Sequence, residues 1–301
     1  MLRGMPLDRL DLTTPVHRIG LGLAAVGRPG YINLGRSRDL PADRPVEALR
    51  RRSHELLDAA YAAGVRYVDA ARSYGLAEEF LAGWLDGRPD VVVGSKWGYT
   101  YTAGWRVDAT VHETKDHSVA TFDRQLAETT SLLGDRLDLY QIHSVTPESG
   151  ALTDRALHGR LAELAARGVT VGLSTSGPRQ ADAIREALRV QVDGVPLFRS
   201  VQATWNPLEP SAGPALAQAH ADGRVVIVKE ALANGRLADR DAAVIAAALR
   251  EPWVDVVLSG AATTDQLASN LRALDIADPG TFPQAERPDV YWRERAALPW
   301  T

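Results

Sequence analysis

Eight short apolar stretches, near residues 19, 66, 92, 139, 170, 201, 226 and 255, recur along a chain of 301 residues. They are rich in Val, Ile, Leu and Tyr, as in RYVD (66–69), DVVVGS (90–95), LDLYQI (137–142) and VTVGL (169–173). Segments with a helical apolar period alternate with them. Strands alternating with helices imply βαβ units and a parallel sheet. Eight such units in this length fit a closed barrel better than an open doubly wound sheet. Such a length allows two domains, but no composition shift, fixed-period repeat or low-complexity tract divides the chain. The expected fold is therefore α/β: a single (β/α)8 TIM barrel domain over residues 1–301.

Leu7–Leu12 and Val16–Leu23 read as two strands around a Thr-Thr-Pro turn. They predict an N-terminal β-hairpin at the barrel bottom. Helical periodicity predicts helices over Val46–Ala63, Ala77–Leu85, His117–Leu133, Thr153–Arg167, from Gly177 to about Val190, Ala212–Ala221, Asp239–Leu249 and from Thr264. Residues 24–45 and 97–116 form long loops, a length that usually marks function or disorder. The tail from Pro279 to Thr301 has little periodicity but carries Tyr291, Trp292 and Trp300.

Apolar residues make up 45% of the chain and charged residues 24%, enough for an ordinary globular core. A net charge of -4 gives no electrostatic reason to expect nucleic acid or an anionic membrane. The chain has no cysteine, which excludes disulfides and thiolate chemistry. No run approaches a membrane span, and the first residues lack a signal-peptide core, so a cytoplasmic location is expected.

The strand tips carry the chemistry. In a parallel barrel all carboxyl ends of the strands open on one mouth. Asp69 ends the second strand and Tyr74 follows on its loop; Lys96 ends the third strand and His143 the fourth. A phenol with a pKa near 10 is a poor proton donor at neutral pH. An adjacent ammonium stabilises tyrosinate, and a buried ammonium needs a carboxylate to stay charged. An imidazole can hydrogen-bond and position a carbonyl oxygen. The set is a proton-delivery device beside an oxygen gaining negative charge, as in carbonyl reduction, and the hydride must come from a cofactor. Each residue has a plainer reading, such as Asp69 capping a helix.

Other signals are weaker. Gly20, Gly22 and Gly27 have the wrong spacing for a dinucleotide fingerprint, although Gly22 can let a ligand approach the backbone. His112, Glu113 and His117 are spaced one residue too far for a zinc-protease helix. Asp69 with His143 could serve a metal-dependent barrel hydrolase or aldolase, but that leaves Tyr74 and Lys96 unexplained. No metal is expected. Trp97, Tyr99, Tyr101 and Trp105 put four aromatics within nine residues on one loop and suggest a binding wall for an apolar or ring-shaped substrate.

GVRYVDAARSYGLAE, VVVGSKWG and LDLYQIHS resemble three signature stretches of the aldo-keto reductase superfamily. VGLST, SVQATWNP, EALANGRL and SGAATTDQLASNL look like its later strand ends, in family order. The resemblance covers about Leu12 to Leu274. It implies that Tyr74 is the general acid, that Lys96 and Asp69 tune it, and that His143 orients the carbonyl. It also implies an extended nicotinamide cofactor across the barrel mouth. Gly22 would approach that cofactor, and Ser174, Thr175 and Gln202 would lie at the nicotinamide amide. Lys229 and Leu232 would flank it, and Ser259, Gly260, Ala261, Thr263, Gln266 and Asn270 would hold the adenosine phosphate end. Tyr31, Trp97, Trp105 and Trp205 are the expected substrate wall.

The chain departs from the family pattern at several places, and the helix before the last strand looks shortened. Thr175 stands where Asn is usual. Lys229 stands where an aromatic often stacks on the nicotinamide. Gly260 and Gln266 stand where basic residues often grip a 2′-phosphate. Other branches also carry Gly and Gln there, so NADPH is the expected cofactor, with NADH open. The expected activity is NAD(P)H-dependent reduction of an aldehyde or ketone. A sugar or alcohol dehydrogenase working oxidatively, and a nicotinamide-binding regulatory barrel with little turnover, are the alternatives.

Overall fold

Short runs of β-branched and aromatic residues, each ending at a polar tip, pair in parallel to close a barrel. The computed structural model describes residues 9–35, 39–40 and 44–301. The barrel strands are β1 (Ile19–Gly22), β2 (Tyr67–Asp69), β3 (Val92–Trp97), β6 (Leu139–Val145), β7 (Thr170–Thr175), β10 (Ser200–Thr204), β11 (Val225–Lys229) and β12 (Val256–Ser259). Strand β1 pairs with both β2 and β12, which closes the circle in the order β1-β12-β11-β10-β7-β6-β3-β2. Two small antiparallel hairpins lie outside it: β4 (Tyr99–Tyr101) with β5 (Glu113–Lys115), and β8 (Gln191–Val192) with β9 (Val195–Pro196).

The described helices are α1 (Val46–Ala62), α2 (Ala77–Ala82), α3 (Val119–Leu133), α4 (Arg155–Ala166), α5 (Gln180–Ala187), α6 (Gly213–Ala221), α7 (Asp241–Arg250), α8 (Thr264–Leu271) and α9 (Pro288–Ala296). Their starts follow local chemistry. The Ser118 hydroxyl accepts from Thr121 N–H at 3.2 Å, and the Asp154 carboxylate accepts from Ala156 and Leu157. Proline opens α6 and α9, where its missing N–H costs nothing. Helix α9 lies in the tail that lacks periodicity; its buried Tyr291 and Trp292 are sequence neighbours, so no helical stripe announces it. None of the described helices is long and apolar enough to cross a membrane.

The main core lies between helices and strands. A second cluster fills the barrel bottom: Leu10, Tyr67, Val92, Leu139, Ile227 and Val256, with Leu12 against it. The expected N-terminal hairpin is not formed there. Leu7 and Asp8 lie outside the described residues, Arg9–Leu12 form no strand, and Pro15–Arg18 make a turn of 3-10 helix. The Asp11 carboxylate accepts from Thr13 N–H at 3.1 Å and from the Thr14 hydroxyl at 2.8 Å. That local turn competes with ladder pairing. The segment still plugs the barrel, through leucines rather than strands.

Candidate active site

The polar tips of the inner strands meet above the leucine plug. Lys96 Nζ forms a buried ion pair with Asp69 Oδ1 and donates to the Ala70 carbonyl at 3.0 Å. Asp69 Oδ2 accepts from Tyr67 Oη at 3.1 Å and from Gln202 Nε2 at 2.9 Å. Both carboxylate oxygens are thus satisfied, as a buried charge requires. The Tyr74 ring lies 5.0 Å from the Lys96 ammonium and edge-on to the His143 imidazole, with centroids 5.5 Å apart. Three strands and one loop have therefore delivered Asp69, Tyr74, Lys96 and His143 to one mouth.

Tyr74 sits on the turn after β2. Gly27, on the loop after β1, lies against it, and the Gly27 carbonyl accepts from Leu76 N–H at 2.8 Å. A Cβ at Gly27 would clash with the Tyr74 carbonyl and lie 2.5 Å from Ala77 Cβ, so only glycine fits. Burial, and then the Asp69 carboxylate, hold the Tyr74 phenol well above its ordinary range. Among the charges that act on it most, Asp69 raises the phenol and Arg28 lowers it, while Lys96 is held in contact with Asp69. Tyr74 is thus a protonated phenol at neutral pH.

Burial, followed by the Lys96, Lys229 and Arg28 cations, pushes His143 well below its ordinary range. Its imidazole is neutral and can donate one hydrogen bond. Ser73 Oγ lies 3.5 Å from Nδ1, and His117 Nε2 meets the His143 carbonyl at 2.9 Å. Tyr99 closes the outer side at 5.1 Å between ring centroids.

A cavity of about 490 Å³ runs from this cluster outward. Its wall includes Gly22, Tyr31, Asp69, Tyr74, His143, Gln202, Lys229 and Leu232. Its far end carries Ser259, Gly260, Ala261, Gln266, Asn270 and Asp241. With its amide turned to satisfy every neighbour, Asn270 accepts from Ser259 Oγ at 2.8 Å and donates to Asp241 Oδ2 at 2.9 Å. A Cβ at Gly22 would meet nothing nearer than the Ser259 carbonyl at 3.6 Å, and one at Gly260 would meet open space. The polar floor, the bare glycines and a lining that includes both Tyr74 and His143 and also Ser259 and Asn270 fit an extended dinucleotide.

Several expected residues stand elsewhere. Lys96 points inward, so strand alternation turns Trp97 outward, where it packs on His117 and Phe122. Trp105 donates to the Arg44 carbonyl at 2.8 Å, and Trp205 packs on Trp253; neither lines the cavity. The aromatic wall thus reduces to Tyr99, with Tyr31 and Trp300 from other segments. Ser174 shares the inner face with Gln202, but its hydroxyl accepts from Ser144 N–H at 2.9 Å, and Ser176 takes its place in the lining. Thr175 is buried on the outer face near Gln180, and Thr263 caps α8 by accepting from Gln266 N–H. His112 stacks on Trp300 with ring centroids 4.1 Å apart. Among the described residues no cluster of three or more acidic or histidine side chains could hold a metal.

The cavity also contains charged pairs the sequence did not point to, beside the expected Lys229. Arg28 pairs with Glu113 at 2.7 Å. Arg295 of α9 grips Glu230 through Nε and Nη2, while Lys229 donates to Thr204 Oγ1 at 2.9 Å. Burial lowers the Lys229 ammonium to about 8. Glu230, Ala233 and Asn234 have φ of 54°, 49° and 55°, a strained turn of the kind found at working sites. Arg28 and Glu230 lie on loops, Arg295 on a short helix and Glu113 on a short hairpin, where no period marks them. In the tail, Pro288 is the residue that favours a helix start.

The family model described as Aldo/keto reductase family matches residues 19–247. A curated relative, aldo-keto reductase str7 of Strobilurus tenacellus, is 29% identical over 199 residues. That alignment covers 62% of this chain and 54% of the relative, so the match spans about half of that protein's length. An aldo-keto reductase-like protein of Pseudomonas aeruginosa superposes with a TM-score of 0.66 at 25% identity, covering 85% of this chain and 88% of the other. The aldo-keto reductase AKR11C1 of Bacillus halodurans, in its holo form, gives 0.64 at 20% identity over 92% and 91%; it shows likeness of fold. Matched across most of its length, and built as a closed eight-stranded parallel barrel, this chain belongs to the aldo/keto reductase family.

Proposed function

We propose that the protein catalyses NAD(P)H-dependent reduction of an aldehyde or ketone, with Tyr74 as proton donor. The observation that carries this reading is the meeting of Tyr74, Lys96, Asp69 and His143 in one cluster, with Asp69, Tyr74 and His143 lining the cavity. A reduced nicotinamide held along this cavity, which Gly22, Gln202, Ser259 and Asn270 line, would supply the hydride to the carbonyl carbon. His143, neutral, donates a hydrogen bond to the carbonyl oxygen and fixes its direction. Tyr74 Oη gives that oxygen its proton, and the O–H bond of the alcohol forms as the phenol O–H breaks. Lys96 and Asp69 hold one another and leave the tyrosinate beside an ammonium until solvent returns a proton. Gln202 keeps Asp69 aligned.

The substrate end of the cavity is charged rather than apolar. Arg28, Glu113, Lys229, Glu230 and Arg295 line it beside Tyr31, Tyr99 and Trp300. That mixture favours a small carbonyl compound bearing hydroxyl groups over the apolar ring expected from the aromatic loop. The adenosine end supports a change of cofactor preference from NADPH to NADH. Asp241, which bonds Asn270 there, is a carboxylate, and a carboxylate suits free ribose hydroxyls better than a 2′-phosphate.

Replacing Tyr74 by Phe tests the reading. Cofactor affinity should stay within about twofold, while turnover of an aldehyde panel falls by 10²–10⁴, the usual contribution of a positioned acid. Turnover close to that of the parent protein would refute the role given to Tyr74. Cofactor binding with no carbonyl turned over by the parent would favour a regulatory barrel.

A further inference from the structure

Arg28 is 1% exposed and lies directly against the proposed proton donor. Its guanidinium carbon is 5.3 Å from the centre of the Tyr74 ring, 5.1 Å from that of Tyr31 and 4.8 Å from that of Trp300. Its Nη1 donates at 2.7 Å to the carbonyl of Ser73, the residue before Tyr74, and at 2.7 Å to Glu113. The side chain therefore touches the ring and also holds the backbone turn that presents it.

Two cations face Tyr74, and they differ in what offsets them. Lys96 is buried against an equally buried carboxylate, Asp69. Opposite charges in contact cancel most of their field a few ångströms away. Arg28 is buried as well, and Glu113 on strand β5, one of its partners, is 22% exposed and so screened by water. Among the cations, Arg28 acts most strongly on the phenol and favours its anion, against burial and the Asp69 carboxylate. A cation over an aromatic face is favourable, and more so when the ring becomes an anion.

We propose that Arg28 is a positioning residue for Tyr74: it fixes the turn, and its guanidinium over the ring favours the tyrosinate formed on proton transfer, with Glu113 attenuating that effect. The proposal rests on Tyr74 being the proton donor. The other groups facing Tyr74 are Asp69 from β2, Lys96 from β3, His143 from β6, Tyr31 from the loop after β1 and Glu230 from the loop after β11. None of them changes in the variants below.

The test is single-turnover carbonyl reduction followed by reduced-nicotinamide absorbance in H₂O and D₂O. Arg28→Met should slow the step at least tenfold and enlarge its solvent isotope effect, with Arg28→Lys recovering part of both. Glu113→Gln, at a partly exposed position, should move the rate and the isotope effect the opposite way. A purely structural Arg28 would lower Tm and leave the isotope effect unchanged in all three variants, which overturns the proposal. If Arg28→Met does not fold, Glu113→Gln decides alone: an unchanged or slower step overturns the proposal. Turnover surviving in Tyr74→Phe brings down the proton-donor reading itself. An inactive Tyr74→Phe with unmoved isotope effects at Arg28 and Glu113 removes only this proposal.

Discussion

Gln202 Nε2 reaches Asp69 Oδ2 at 2.9 Å across the width of the barrel, from β10 to the diametrically opposed β2. That bond spans 133 positions of sequence. It completes a carboxylate already engaged by Lys96 and Tyr67. Asp69 is thus the point at which opposite walls of the mouth are fastened together, and its charge state bears on stability as well as on chemistry.

Removing one half of that ion pair should be costly. Lys96→Met leaves Asp69 charged and buried, with Tyr67 and Gln202 as its remaining partners. Loss of one partner of a buried pair costs about 3–5 kcal/mol. Urea unfolding should show a loss of that size, and the paired variant Lys96→Met with Asp69→Leu should lose less. Equal losses in the two would mean that the pair is not coupled as its geometry implies.

Acid should weaken the closure by helix α9. Burial alone would raise the Glu230 carboxyl, but Arg295 and then Lys229 outweigh it and bring it to about 2. A carboxyl depressed on folding contributes stability above its unfolded value of 4.5 and loses it as pH falls toward 2. The full contribution is roughly 3 kcal/mol at one tenfold step per 1.36 kcal/mol. The Tm difference between the parent and Arg295→Gln should therefore be large at pH near 6 and shrink by pH near 3. A difference independent of pH would show that Glu230 is not held ionised by Arg295.

Cofactor choice should turn on Asp241. Calorimetric titration of the cofactor-free protein should find NADH bound at least as tightly as NADPH. Asp241→Ser should narrow the gap by improving NADPH affinity about tenfold, the scale of one close like-charge repulsion of about 1.4 kcal/mol. Tighter NADPH binding in the parent protein would return the preference to the one the sequence suggested.

Gly27→Ala probes how Tyr74 is presented. The added methyl meets the Tyr74 carbonyl and Ala77 Cβ, both fixed by backbone. Overpacking of this kind costs about 1–3 kcal/mol. Thermal unfolding should show that loss, and turnover should fall more than cofactor affinity, because the turn moved is the one bearing the phenol. An Ala variant with unchanged Tm would mean that the two loops part without cost.

The barrel was readable because its signal is local and repeated: apolar runs with polar tips, separated by helical periods. Asp69, Tyr74, Lys96 and His143 were legible for the same reason, since each sits at or just beyond such a tip. Trp97 was misplaced although the period-2 rule, applied from Lys96, turns it outward. The hairpin failed because Asp11 finds hydrogen-bond partners two and three residues away, and no apolar alternation registers that.

The sequence by itself determined the eight strand–helix units and the four polar groups that converge on the barrel mouth, because strand direction and side-chain alternation are dictated residue by residue. Only tertiary structure decided which charges share that mouth. Arg28 with Glu113, and Arg295 with Glu230, come from loops, a two-stranded hairpin and a short terminal helix whose positions depend on packing against the closed barrel. Burial then fixed the protonation of Tyr74, His143 and Lys229, because the cost of charge depends on depth and on neighbours that chain order does not name.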